Sequence, residues 1–241
     1  MKELDTAIIL AGGLGTRLRP VVRKVPKPMA PVQGRPFIMY LLDYWYRQGI
    51  RRFIISVGYK SNYIRRGLRD LWDKTDLEFV KEDKPYGTGG ALLLCLERKN
   101  IEFPFLLLNG DTFFEVNLKR LDRHARKTCA DWCLSLFSST DCERYLPIKL
   151  KQDFLVETLR PAISKNTKRS ENFSNGGVYW VHPRGTRDFL LKAKSISLEK
   201  EMLPKAIKKG YKVVGFPTKK RFIDIGIPDD FIKAQAFRFR H

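Results

Sequence analysis

The chain has 241 residues, 43% hydrophobic and 30% charged, with a formal net charge of +20 from 46 Lys and Arg against 26 Asp and Glu. That apolar share fills a core and excludes a disordered chain, and the length suits one α/β domain or two small ones. The positive balance points to anionic partners, but the cations are spread along the chain with no basic tail and no aromatic-interleaved basic motif, which argues against nucleic acid.

The first predicted element is a buried strand over residues 7–11, running straight into Gly12, Gly13 and Gly15. A strand that ends in glycines offers bare backbone N–H groups on which phosphate can sit. Two cations follow: Arg17, a planar fork for phosphate oxygens, and Lys27, a point charge held between Pro26 and Pro28. No Gly-Lys-Ser/Thr follows at Walker spacing, and Leu18 stands where a dinucleotide fingerprint needs a third glycine.

Apolar spacing predicts a helix over 36–48, closed by Gly49, then a strand over 53–57. A basic amphipathic helix follows over 62–72 with Asn62 as its N-cap, then a strand over 77–80. A second glycine turn, Gly87, Gly89 and Gly90, opens a helix over 88–97, and 105–108 is a fully apolar strand. Strands alternating with helices predict βαβ units and a mostly parallel sheet, with ligands outside the carboxyl ends of its strands. From about residue 130 the pattern changes to a more mixed sheet: strands over 132–137, 148–159, 178–181 and 212–216, a polar basic loop over 166–174, and a closing helix from Pro228 to the C-terminus.

Asp111 follows the apolar strand in the context Asn109-Gly110-Asp111-Thr112, which suits one arm of a Mg2+ site or a turn cap. Asp224, between Ile223 and Ile225, is costly to bury unless a cation pairs with it; a salt bridge and a metal both meet that need. None of Cys95, Cys129, Cys133 and Cys142 makes a C-x-x-C pair, and there are only three histidines, so the cysteines read as reduced core thiols. No apolar run approaches the roughly 18 residues of a membrane span and no secretory leader is present, so a soluble cytoplasmic protein is expected.

The loop Gly12-Gly13-Leu14-Gly15-Thr16-Arg17-Leu18-Arg19-Pro20 with Pro26-Lys27-Pro28 resembles the signature of the sugar-phosphate nucleotidyltransferases, or nucleoside-diphosphate-sugar pyrophosphorylases. The resemblance extends over nearly the whole chain. It implies a single Rossmann-like, glycosyltransferase-A-like α/β domain over 1–241, with a nucleotide-binding half to about 130 and a sugar-binding half beyond. It implies an enzyme using Mg2+ on a nucleoside triphosphate and a sugar 1-phosphate, often as a homo-oligomer. Leu10, Ala11, Gly12, Gly13, Gly15, Thr16 and Arg17, with Glu82, Gly87, Thr88 and Asp111, would bind the nucleotide. Arg17, Lys27 and Asp111 would act in catalysis, and Asp111 and Asp224 would hold the metal.

Asn109, Gly110, Arg160, Asn175, Gly176, Gly177 and Glu199 would meet the sugar phosphate, although an acidic residue such as Glu199 also suits a first helical turn. Leu159-Arg160-Pro161 departs from the family's Glu-Lys-Pro: the charge is kept and a carboxylate lost. The stretches Gly34-Arg35-Pro36-Phe37, Val57-Gly58-Tyr59 and Asn175-Gly176-Gly177-Val178-Tyr179 are most similar to the family's heptose 1-phosphate guanylyltransferases, which use GTP. Mannose 1-phosphate guanylyltransferases and short uridylyl- or thymidylyltransferases share most of these motifs. A catalytically silent relative that binds nucleotide sugar is the non-enzyme alternative, opposed by the presence of Arg17, Lys27, Asp111 and Asp224 together.

Overall fold

The computed structural model describes residues 3–138, 145, 147–159, 173–190 and 195–239. In chain order these form β1 (Thr6–Leu10), β2 (Pro31–Val32), β3 (Arg35–Pro36), α1 (Phe37–Arg47), β4 (Arg52–Val57), α2 (Ser61–Leu71), β5 (Leu77–Lys81), α3 (Gly87–Arg98), β6 (Phe105–Asn109) and β7 (Thr112–Phe114). Then come α4 (Leu118–Lys127), β8 (Trp132–Ser138), β9 (Pro147–Leu150), β10 (Val156–Leu159), β11 (Phe173–Val181), α5 (Leu203–Lys208), β12 (Val213–Pro217), β13 (Phe222–Asp224) and α6 (Pro228–Gln235).

Strands β5, β4, β1 and β6 lie side by side in parallel, as the alternating pattern predicts. Their side chains alternate between two apolar faces. Ala7, Ile9, Phe53, Ile55, Leu106 and Leu108 enter the core under α1, α2 and α4. Ile8, Ile54, Phe105 and Leu107 enter the core under α3 and α5. With both faces covered, these strands read as continuous apolar runs. Beyond β6 the sheet turns antiparallel through β11, which lies between β8 on one side and β6 and β9 on the other. The β11–β8 register slips between Asn175 and Tyr179, so Gly176 and Gly177 sit in a bulge. β12 adds to β8 in parallel, and β13 pairs with β7 apart from the main sheet. Among the described residues no helix is long and apolar enough to cross a membrane.

Four expectations are corrected. The N-cap of α2 is Lys60, in the left-handed region at φ 52°, not Asn62, which lies inside the first turn; the Lys60 ammonium anchors this turn by donating to the Lys24 carbonyl at 2.6 Å. The strand expected over 148–159 is a hairpin, β9 and β10, reversed at Asp153 and Phe154, both at positive φ. The closing helix stops at Gln235: the tail beyond it is held by Gln33, whose side chain donates to the Phe237 carbonyl at 2.7 Å, and Phe239 stacks on Tyr40. The polar loop expected over 166–174 ends in strand, because Phe173 and Ser174 open β11; its earlier part lies outside the described residues.

Candidate active site

Outside the carboxyl ends of β1, β4, β5 and β6 lies a cleft of about 710 Å3. Each strand sends its next residues into the wall: 10–17 after β1, Gly58 and Tyr59 after β4, 81–85 after β5, and 109–111 after β6. In a parallel sheet this is where the chain leaves the ladder and backbone groups become available to a ligand.

The first glycine loop has its backbone free. From Gly12 to Arg17 no N–H donates a hydrogen bond to another described residue; the loop's internal bonds begin at Leu18, which donates to Gly15 at 3.1 Å. A run of unpaired amides around a residue at φ 60°, Gly15, makes a concavity suited to an anion. Arg17 lies at its end, exposed and on the cleft wall.

Facing this loop, Lys27 places its ammonium between two carboxylates. It is ion-paired with Asp111 Oδ2, and its Nζ lies 3.9 Å from Asp224 Oδ1. Asp224 reaches this point because β13 pairs with β7 in a register that sets it opposite Thr112. Its neighbours Ile223 and Ile225 are buried in the core, and Gly226 N–H donates to its Oδ1 at 2.6 Å. Burial opposes the charge of Asp111, but the Lys27 charge and hydrogen bond prevail and hold its carboxyl below the usual range. The expected metal residues fit a hard divalent cation: two carboxylates from distant segments already converge on one positive charge, in an open cleft with room for phosphate oxygens.

Glu82 sits on the opposite wall. Its Oε1 accepts from Ser56 Oγ at 2.9 Å, and it lies so close over Gly12 that a Cβ there would fall 2.0 Å from the carboxylate. Thus Gly12 is small for a reason the loop motif alone does not disclose. Gly87 and Thr88 line the cleft as expected. The second glycine turn nevertheless spends the Gly89 and Gly90 amides on the Ile196 carbonyl, at 2.9 and 3.2 Å, and not on a base.

Of the residues expected at the sugar, Asn109 and Gly110 line the cleft. Asn109 Oδ1 is buried with no hydrogen-bond partner, a state that costs about 1–3 kcal/mol until a donor arrives. Gly176 and Gly177 are both buried, against the Phe114 ring and the Asn109 side chain, and like Asn175 and Glu199 they stand outside the residues that line the cleft. Asn175 uses its amide internally, donating to Tyr179 Oη and accepting from Gly177 N–H. Glu199 lies behind Thr88, accepting from its hydroxyl at 3.0 Å. Arg160 lies outside the described residues. Sequence reasoning missed Tyr59, Lys81, Asp83 and Lys84 as cleft residues. Their signal was positional: they end or closely follow β4 and β5 on the edge where β1 and β6 deliver the glycine loop and Asp111.

A glycine loop with free amides, a lysine shared by two carboxylates and a mixed α/β sheet are the architecture of a nucleotidyl transferase. Residues 6–240 match the nucleotidyl transferase family, and the chain belongs to it. The more particular resemblance is to heptose enzymes. The chain is 37% identical over 238 residues to the D-glycero-alpha-D-manno-heptose 1-phosphate guanylyltransferase of Aneurinibacillus thermoaerophilus, covering 95% of this chain and 96% of that one. It is 35% identical over 225 residues to the enzyme of the same name from Campylobacter jejuni subsp. jejuni serotype O:2, covering 93% and 96%. The crystal structure of HddC from Yersinia pseudotuberculosis complexed with GMP-PN superposes with a TM-score of 0.80 at 32% identity, over 97% of this chain and 99% of that one.

Proposed function

We propose that the protein transfers a guanylyl group from GTP to D-glycero-α-D-manno-heptose 1-phosphate, giving GDP-heptose and pyrophosphate. The observation that carries the transfer chemistry is the Lys27 ammonium set between Asp111 and Asp224, facing a loop of unpaired amides. The base and sugar rest on the two heptose guanylyltransferases that match nearly end to end. The nucleotide occupies the half before β8, and the sugar lies against the half from β8 onward together with Asn109 and Gly110 at the end of β6.

In this reading the loop amides and Arg17 bind the triphosphate. An oxygen of the sugar 1-phosphate attacks the α-phosphorus in line, and the bond to the bridging oxygen of pyrophosphate breaks. The attacking oxygen is already anionic, so no general base is needed, and catalysis reduces to positioning and charge neutralisation. Lys27 supplies a fixed positive charge at the α-phosphate. Asp111 and Asp224 would hold Mg2+, which supplies further neutralisation of phosphate charge when bound. Glu82 reads the base edge, and Asn109 and Glu199 read sugar hydroxyls.

The test is pyrophosphate release with Mg2+, crossing GTP, UTP, dTTP, CTP and ATP against heptose, mannose and glucose 1-phosphates. GTP with the heptose is expected to give the highest kcat/KM. Preference for another pair overturns the substrate and keeps the chemistry; no release with any pair from folded protein overturns both.

A further inference from the structure

The second glycine turn faces the cleft from the nucleotide half, yet its bonds run to the other half. Gly87 and Gly89 lie against the backbone of Ile196 so tightly that a Cβ would fall 2.7 and 3.1 Å from its carbonyl oxygen. Ile196 N–H returns a bond to the Tyr86 carbonyl at 2.9 Å. Two residues further on, Leu198 N–H donates to Thr88 Oγ1 at 2.8 Å. The segment that leads into Glu199 is therefore seated on the turn at both ends of a short stretch, by backbone bonds at Ile196 and by the Thr88 hydroxyl at Leu198.

The hydrogen bonds around Glu199 have a fixed direction. Thr88 Oγ1 accepts from Leu198 N–H, so its single proton is left to point at Glu199 Oε2, 3.0 Å away. On the other side, Gly177 N–H donates to Asn175 Oδ1 at 3.2 Å, which turns the Asn175 NH2 group toward Tyr179. Tyr179 Oη accepts from that group and donates to Glu199 Oε1 at 3.1 Å. Two relays, each anchored on a backbone N–H, thus converge on the two oxygens of one carboxylate. Burial and the charge of Glu199 both keep the Tyr179 phenol protonated as a donor. Ser197 Oγ also reaches Oε2, at 3.5 Å, so Oε1, with Tyr179 as its one donor, is the oxygen that retains lone-pair capacity for a further donor, and Glu199 is only partly buried.

We propose that Thr88 and Tyr179 are positioning residues that aim the Glu199 carboxylate at the acceptor sugar, so that the second glycine turn serves the sugar 1-phosphate although it lies on the nucleotide side. This rests on the reading of Glu199 as a sugar contact. It separates two roles that adjacent residues on one turn would otherwise share: Gly87 and Gly89 provide the seat, and the Thr88 hydroxyl fixes one carboxylate oxygen.

The experiment is steady-state kinetics of Thr88→Val, Thr88→Ser, Tyr179→Phe and Glu199→Gln, with GTP and the acceptor varied in turn. The acceptor is whichever sugar 1-phosphate the parent enzyme turns over most efficiently. Loss of a hydrogen bond to a charged group is expected to raise the acceptor KM about 10- to 100-fold in Thr88→Val and Tyr179→Phe, while the GTP KM stays within about twofold. Thr88→Ser, which keeps the hydroxyl, restores the parent value. A rise in GTP KM with unchanged acceptor KM in Thr88→Val overturns the proposal and returns Thr88 to the nucleotide site. So does a fall in kcat with both KM values unchanged. Should Thr88→Val fail to fold, Tyr179→Phe decides alone, since it leaves the turn intact. An unchanged acceptor KM in Glu199→Gln instead removes the reading of Glu199 on which the proposal stands.

Discussion

Replacing Lys27 by alanine removes a cation that two carboxylates share. At the 3.9 Å between Lys27 Nζ and Asp224 Oδ1, a pair of unit charges interacts by about 4 kcal/mol at an effective dielectric of about 20. The Asp111 and Asp224 side chains are 33% and 23% exposed toward the cleft, so solvent screening brings each contact to about 1–3 kcal/mol. Loss of the same charge at a reacting phosphate is expected to lower kcat by about 10²- to 10³-fold. The variant also removes the cation that Asp111 and Asp224 share. It should melt below the parent in EDTA and recover more than the parent does on addition of Mg2+. Pyrophosphate release at saturating substrates gives the rate, and thermal melts in EDTA and in Mg2+ give the second effect. A kcat within a few-fold of the parent would refute the catalytic charge. Equal Mg2+ responses in both proteins would refute the shared-cation geometry.

Gly110→Ala should destabilise the fold by about 1–3 kcal/mol, because a Cβ there falls 2.6 Å from the Leu10 carbonyl oxygen, a backbone atom that cannot swing away; urea melts measure this. Asp43 is buried, with ion pairs to Arg35 at 2.6 Å and to Lys74. Burial opposes its charge, but the bonds from Lys74 and Arg35 prevail and lower its pKa. The stability this contributes is full above the unfolded carboxylate value of about 3.9 and is lost as pH falls through the lower folded value. Asp43→Asn should therefore cost about 1–3 kcal/mol at neutral pH, with the gap to the parent narrowing below about pH 4 in melts across pH. Cys95 and Cys133 are buried, and burial pushes the Cys95 thiol up to about 12. Neither should react with a thiol reagent in the native protein, whereas exposed Cys129 should; peptide mapping after labelling checks this.

Much of the half before β8 was legible because its signals are local. The apolar runs of β1, β4 and β6 announce strands covered on both faces, and the glycine loop, Lys27 and Asp111 stand beside them in sequence. The second half was harder, for physical reasons. Helix α4 escaped the sequence reading because it buries only Leu118, Leu121 and Ala125 beneath a strongly basic surface. Asn117 supplies its cap by accepting from Arg120 N–H at 2.9 Å. The β9–β10 hairpin reverses on Asp153 and Phe154, neither of which announces a left-handed backbone. Asp224 could be suspected from its apolar neighbours, but its meeting with Lys27 depends on the pairing of β13 with β7. The internal use of Asn175, and the burial of Gly176 and Gly177, follow from a bulge that no short motif encodes.

The pairing of β13 with β7 also orders events during synthesis. A ribosome delivers Lys27 first, then Asp111, and only much later Asp224. At about 5–20 residues per second, translation reaches Asp224 roughly 6–23 s after Asp111. By then β1, β4, β5 and β6 have all emerged, so the parallel core with its glycine loop can form around Lys27 and a single carboxylate. In that interval the nascent chain holds Lys27 and Asp111 without the second carboxylate. The meeting of the two carboxylates on Lys27 thus waits for β13, and a chain interrupted before β13 would carry Lys27 and Asp111 without Asp224.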